Sequence, residues 1–227
     1  MASSIGAKHL VKTYGKKDSL FTALNGVDLD IKRGESVALI GKSGSGKSTL
    51  MHLLALLDSP TSGEITVDGQ ASSSLARRQK DLLRNKQFGF VFQQFFLNAN
   101  NSVLDNVILP LKIAGVGRRE RNRRGMKALE DVELADKANN RANDLSGGQK
   151  QRVVIARALI NDPTVIFADE PTGNLDSVTG KKIEDMLFSL NKSKNITLII
   201  VTHDPDLAVR CDRQIRIKDG RIEGEAK

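Results

Sequence analysis

Val37-Ala38-Leu39-Ile40-Gly41-Lys42-Ser43-Gly44-Ser45-Gly46-Lys47-Ser48 is an apolar run that breaks into a glycine-rich turn and ends on Lys-Ser. Its last eight residues fit GxxxxGK[ST] at every required position. The run does not alternate with polar residues, so it suits a strand buried on both faces. The residues from about Ser48 onward, Thr49 among them, read as a helix. Strand, glycine loop and helix are the context this pattern demands. Gly41, Gly44 and Gly46, with Ser43 and Ser45 between them, let backbone N–H groups converge on phosphate oxygens. The helix N-terminus adds a favourable dipole. Lys47 supplies a point charge for β and γ phosphates, and Ser48 offers a hydroxyl to Mg²⁺. The ligand indicated is a nucleoside triphosphate.

Working outward, the same rhythm recurs. Val165-Ile166-Phe167-Ala168 and Leu198-Ile199-Ile200-Val201 are further unalternating apolar runs, each followed by a turn and a helical pattern. This predicts an α/β core with a mostly parallel sheet. Asp169 and Glu170 close the second run, at the carboxyl end of a strand, where such sheets bind ligands. Asp169 is placed to orient hydrated Mg²⁺, and Glu170 to act as general base or to polarise water. The first forty residues read differently. Lys8 to Lys12, and Thr22 to Ile31 with its Asn25-Gly26 turn pair, predict antiparallel strands. Another strand, Glu64 to Val67, ends at Asp68-Gly69.

The stretch from about Phe95 to Asn161 lacks strand signals. Ser102-Val103-Leu104-Asp105 matches a capping box before an apolar helix. Arg118 to Val132 predicts a second helix, and Gly147 to Ile160 a third, stopped by Asp162-Pro163. A helical insert therefore divides the α/β core.

The chain has 227 residues, 39% hydrophobic and 27% charged, a composition of globular proteins. Its longest apolar run, Leu50 to Leu57, is interrupted by His52 and falls far short of the roughly 20 residues of a membrane span. The start, MASSIGAKHL, has no apolar segment of the kind secretory leaders carry. One cysteine, Cys211, cannot form an internal disulfide, so a reducing compartment is expected. The net charge of +8 is uneven. Val116 to Lys127 carries +5 and Leu75 to Gln87 carries +4, leaving the remainder at −1. The ordinary reading of such runs is solvated helix faces.

Leu145-Ser146-Gly147-Gly148-Gln149 opens the third predicted helix. A serine and two glycines at a helix N-terminus make a second anion-binding site. One chain does not need two γ-phosphate sites, so this one is read as serving another chain's nucleotide. With these motifs in order, the sequence resembles the ATP-binding cassette (ABC) ATPases, from about Lys8 to Gly224. The resemblance implies a P-loop NTPase core over residues 1–94 and 162–227, with an N-terminal antiparallel β-subdomain. Residues 95–161 would form the inserted α-helical subdomain that carries the signature.

In that family two cassettes pair head-to-tail around two ATPs with Mg²⁺. The resemblance implies that Tyr14 stacks on adenine and that His203 touches the γ-phosphate. Gln93 contacts Mg²⁺ and the attacking water and moves with the membrane partner, although Gln94 beside it leaves the register open. Ser146, Gly147, Gly148 and Gln149 meet the partner's nucleotide, and Asp176 lies in the loop linking the two sites.

The wording Ala168 to Ser177, and Leu57 to Glu64, is similar to bacterial cassettes for macrolide or peptide efflux, lipoprotein release and cell division. The resemblance thus implies a homodimer in the ATP-bound state and a separate integral membrane permease. It places the chain in the cytoplasm, peripheral on the inner face of the cell membrane, with no nucleic acid partner. Soluble ABC ATPases acting on DNA or the ribosome are the alternative. The first carry coiled-coil or zinc-bearing inserts and the second join two cassettes, and neither feature is in this sequence. Two departures stand out: polar Asn98-Ala99-Asn100-Asn101 after the glutamine loop, and Asp144 before the signature. Phe88, Phe90 and Phe92 alternate as on a strand face. Phe95 and Phe96 fit either core positions or anchors for a partner.

Overall fold

The computed structural model describes residues 3–16 and 19–226. The outer bounds of the expected cassette, Met1 and Lys227, lie outside the described residues. In chain order the elements are β1 (Ser3–Tyr14), β2 (Phe21–Lys32), β3 (Ser36–Ile40), α1 (Lys47–Leu54), β4 (Ser62–Val67) and β5 (Gln70–Ala71). Then come α2 (Arg77–Gln87), β6 (Phe88–Phe92), α3 (Val103–Val107), α4 (Leu109–Ile113), α5 (Arg118–Glu130) and α6 (Gly147–Leu159). Last are β7 (Val165–Asp169), α7 (Ser177–Lys194), β8 (Thr197–Val201), α8 (Pro205–Val209), β9 (Arg213–Lys218) and β10 (Arg221–Ala226). The chain forms two compact units, Met1–Asp81 with Asn191–Lys227, and Leu82–Leu190. The expected helical insert, 95–161, lies wholly inside the second.

In the first unit, β2, β1, β4 and β5 form an antiparallel sheet in that order. Alternation drives it: Val27, Leu29 and Ile31 of β2 are buried while the residues between them are exposed. The antiparallel pairing is as the sequence indicates, but Asn25-Gly26 is not a hairpin turn. Leu10 pairs with Val27 and Val11 with Asn25, so Gly26 is the extra residue of a bulge inside β2. Its φ of +71° explains the glycine, because a left-handed bulge residue is strained for any side chain with a Cβ.

A second arrangement in this unit sets β10, β9, β3 and β8 side by side. β3 runs parallel to both β8 (Ala38 opposite Ile200) and β9 (Leu39 opposite Ile215), while β10 pairs antiparallel with β9. β8 is buried along its whole length, as its unbroken apolar run requires. Leu50, Met51, Leu53 and Leu54 of α1 are fully buried, each such side chain contributing about 1.5–3 kcal/mol. Cys211 is buried, and burial with the adjacent Asp212 pushes its thiol up to about 12.

In the second unit β6 and β7 pair in parallel, Phe90 opposite Phe167. The alternating phenylalanines do share a face: Phe90 stacks on Phe92 at 5.7 Å and on Phe167 at 5.8 Å, and Phe88 meets Phe167 edge-on at 5.2 Å. The helical stretch divides where Pro110 interrupts it, giving α3 and α4. Only half of the predicted capping box before α3 forms. The Ser102 hydroxyl accepts from the Asp105 N–H at 3.0 Å. The Asp105 carboxylate is taken instead by Ser102 Oγ and Lys112 Nζ. The polar loop 98–101 is held by buried Asn106, whose side chain bonds both the N–H (2.7 Å) and the carbonyl (3.1 Å) of Asn98. Among the described residues no helix is long and apolar enough to cross a membrane.

Candidate functional site

In the first unit the glycine loop joins the end of β3 to α1. Gly46 occupies the cap position with φ +107°, and a Cβ there would lie 2.6 Å from the Ala23 carbonyl oxygen. No other residue fits. Lys47 Nζ lies back over the loop, donating to the carbonyls of Gly41 (2.8 Å) and Lys42 (2.9 Å). The Ser45 hydroxyl is buried and has no hydrogen-bond partner among the described residues, which is costly unless a ligand oxygen accepts it. The loop therefore carries an ammonium held only by backbone carbonyls and one unsatisfied hydroxyl, beside N–H groups at a helix start.

Tyr14 ends β1 and is 41% exposed. Its hydroxyl donates to Asp58 Oδ2 at 2.9 Å, and Lys12 Nζ lies 4.8 Å from the ring centroid while pairing with Asp58 at 2.8 Å. Partial burial and the Asp58 carboxylate raise the phenol above its ordinary value. At Asp58 burial works upward, but the bonds from Lys12, the Ser59 N–H and Tyr14 outweigh it and hold the carboxyl low. The ring plane is thus fixed, with a cation on one face. His203 follows β8 at an exposed position, before the turn in which the Thr202 hydroxyl accepts from the Asp204 N–H (3.0 Å).

In the second unit Asp169 is the last residue of β7, and Glu170 follows with φ +47°. That left-handed backbone costs a non-glycine residue about 1 kcal/mol or more. Two bonds stabilise the turn. The Gly173 N–H donates to the Glu170 carbonyl (3.1 Å), and buried Gln151 of α6 donates to the Pro171 carbonyl (2.6 Å).

Gln93 Nε2 donates to Asn174 Oδ1 (3.3 Å), and Asn174 Nδ2 returns a bond to the Gln93 carbonyl (2.9 Å). Asn174 carries no chemistry-bearing signal in the sequence beyond its place in Gly173-Asn174-Leu175-Asp176. Only the fold reveals it as the partner of the glutamine. Asp176 caps α7: the Thr179 hydroxyl and the Thr179 N–H (3.0 Å) both donate to its carboxylate and hold its pKa down.

Ser146 is the N-cap of α6, and Gln149 completes a capping box. Ser146 Oγ accepts from the Gln149 N–H (3.4 Å), and Gln149 Oε1 accepts from the Ser146 N–H (2.9 Å). Ser146 to Gln149 and Asn174 to Asp176 line one cleft of about 890 Å³. α6 also donates into three loops. Besides Gln151, Arg152 bonds the Val132 carbonyl (3.0 Å), and Arg157 bonds the carbonyls of Phe95 (3.0 Å) and Phe96 (2.8 Å). Burial pulls the Arg157 guanidinium pKa downward. Phe95 is half-buried, whereas Phe96 stands 65% exposed with φ +46° and meets Phe92 edge-on at 5.6 Å.

Comparison with known proteins gives a consistent answer. The ABC transporter family profile matches residues 24–173. The ABC transporter ATP-binding protein YbbA of Escherichia coli (strain K12) is 48% identical over 219 residues, covering 96% of each chain. The lipoprotein-releasing system ATP-binding protein LolD of Syntrophus aciditrophicus (strain SB) is 44% identical over 218 residues, covering 96% of this chain and 98% of that one. Among solved structures, the dimeric post-hydrolysis state of the ATP-binding cassette MJ0796, bound to ADP and Pi, superposes with a TM-score of 0.90. It has 43% identity and covers 98% of both chains.

Proposed function

Because this chain belongs to the ABC transporter family and is an ATPase of its ATP-binding subunits, we propose that its motif residues share out the work of ATP hydrolysis as follows. The loop Gly41 to Ser48, with Thr49, takes the phosphates, Lys47 supplying the charge. Tyr14 offers its free ring face to the adenine, since Lys12 occupies the other. Ser48, Gln93 and Asp169 provide only oxygen donors, the class Mg²⁺ takes. When bound, the ion neutralises charge on the β and γ oxygens. Glu170 accepts the proton of the attacking water, with Gln93 orienting that water and His203 donating to the γ-phosphate. Ser146, Gly147, Gly148 and Gln149 engage the nucleotide of a second copy, and Asp176 joins the two sites. Nothing in the comparisons supports a DNA- or ribosome-acting cassette.

The observation that carries this reading is the capped signature helix α6 on the same chain as the phosphate loop. It motivates a homodimer closed by two ATPs. Such a dimer drives a separate integral membrane permease from the cytoplasmic face, in the manner of efflux or lipoprotein- and peptide-handling systems. The division of the chain into a core (1–94 and 162–227) and a helical subdomain (95–161) belongs to the same proposal.

Lys47→Ala removes the only side-chain cation of the phosphate loop that reaches back over its carbonyls. ATP affinity then falls by roughly ten- to a hundredfold, at about 1.5–3 kcal/mol for a charge-assisted bond. Titration with a fluorescent ATP analogue measures it, and undiminished affinity overturns the phosphate-loop assignment.

Gly173→Ala tests the glutamine. A Cβ at Gly173 would sit 2.8 Å from Gln93 Nε2, so the Gln93 amide must shift to admit it. Displacing a positioning group by about 1 Å costs up to roughly a hundredfold in rate. Turnover should drop by that order with ATP affinity unchanged. Unchanged turnover in both Gly173→Ala and Gln93→Ala removes Gln93 from the reaction.

A further inference from the structure

The excess positive charge between Val116 and Lys127 has an uneven fate in the fold. Arg124 is used internally, donating to the Ile160 carbonyl and to Asp162 (3.1 Å). Arg123 is held by Glu120 through two bonds of 2.8 and 2.7 Å. Arg118 and Arg119 are exposed and have no carboxylate partner among the described residues. Arg121 turns inward. Its terminal N–H reaches the Val116 carbonyl at 3.4 Å, and its Nε is buried without a partner among the described residues.

Arg118, Arg121 and Lys112 line a cavity of about 330 Å³ with Asp105 and Asn122. Asp105, the one carboxylate there, is already bound by Lys112 (2.7 Å) and Ser102 (2.8 Å), and these bonds hold its pKa down. Three cations against one anion leave the cavity positive. α5 also begins at Gly117 without a side-chain cap, so its dipole adds to the same sign.

The neighbouring α4 supplies a second kind of surface. Leu109 is 46% and Ile113 69% exposed. They stand four residues apart, on one face of the helix. Exposed apolar side chains beside unpaired arginines such as Arg118 and Arg119 are what an acidic bilayer surface recognises. Nucleic acid would use the charges but not the apolar pair.

We propose that the α4–α5 face is a membrane-contact surface that rests on acidic phospholipid. Leu109 and Ile113 enter the boundary between headgroups and acyl chains. Arg118 and Arg119 meet headgroup phosphates, and the cavity beside Arg121 takes one of them. The proposal extends beyond ATP hydrolysis and does not depend on it.

The test is co-sedimentation of the full chain with vesicles of phosphatidylcholine, with and without phosphatidylglycerol. The chain should bind only the acidic vesicles. Arg118→Glu combined with Arg119→Glu should lower partitioning by roughly tenfold or more, since each basic residue near such a surface contributes several-fold. Leu109→Ser combined with Ile113→Ser should remove the binding that survives high salt. Arg77→Glu combined with Arg78→Glu makes the same charge change on exposed positions of α2, and should leave binding largely intact. ATPase activity retained by every variant reports that each is folded. Absence of binding to acidic vesicles overturns the proposal. So does an equal loss on reversing α2, which would reduce the effect to net charge.

Discussion

Glu170→Gln lowers steady-state ATP hydrolysis by about three orders of magnitude while leaving ATP binding in place, because a positioned general base contributes roughly 10²–10⁴-fold. The substitution keeps the size and shape of the side chain, so the turn that holds it survives. That turn is specified by other residues: the Gly173 N–H on the Glu170 carbonyl and Gln151 on the Pro171 carbonyl. What changes is the loss of a carboxylate able to take a proton from water. A backbone at φ +47° persists at a non-glycine residue only where its surroundings impose it, and here they aim one particular side chain. With hydrolysis blocked, the ATP-bound homodimer should accumulate and elute at twice the monomer mass with ATP and Mg²⁺. Turnover within a factor of about ten of the parent places the base elsewhere. A variant that stays monomeric with ATP shows that the isolated subunit does not form the closed dimer.

The parts of this molecule legible in the sequence are those written in consecutive residues. β3, β7 and β8 are buried on both faces, so their apolar runs are unbroken and easy to read. The phosphate loop and the signature are likewise contiguous, and each needs its spacing to work. Asn25-Gly26 misleads because a glycine with positive φ serves a bulge as well as a hairpin turn. Only the pairing of Leu10 with Val27 decides between them. Gln93 and Gln94 are equivalent in sequence. They differ only because Asn174, eighty-one residues away, bonds the first. The basic run in α5 reads as one patch, yet Arg124 and Arg123 are committed to partners and Arg118 and Arg119 are not. Long-range pairing of this kind depends on topology, which no local pattern carries.

The same distinction applies to α6. Its first residues can be recognised as a signature, but its other role appears only in the fold. Gln151 holds the Glu170 turn, and Arg157 holds the loop after Gln93. The helix that opens at Ser146 thereby holds two loops of its own chain through backbone carbonyls.

Ser146→Arg is the substitution that should break this arrangement at its entrance. It removes the hydroxyl that accepts from the Gln149 N–H, a cap whose loss costs about 1 kcal/mol. It also places a long cation in the cleft shared with Asn174 and Asp176. The Lys47 loop is untouched, so ATP affinity should stay within about twofold, near 0.4 kcal/mol. Closure around a second copy's nucleotide should fail, and turnover should fall to background. Ser146→Ala separates the two causes, since it loses the same cap without adding bulk or charge. It should melt slightly earlier, yet still dimerise in the Glu170→Gln background. The decisive comparison is the double variant Glu170→Gln with Ser146→Arg in the presence of ATP. If it elutes as a monomer while Glu170→Gln with Ser146→Ala elutes as a dimer, the signature acts across the interface. If both dimerise, Ser146 serves only as the cap of its own helix, and the second anion site lies elsewhere.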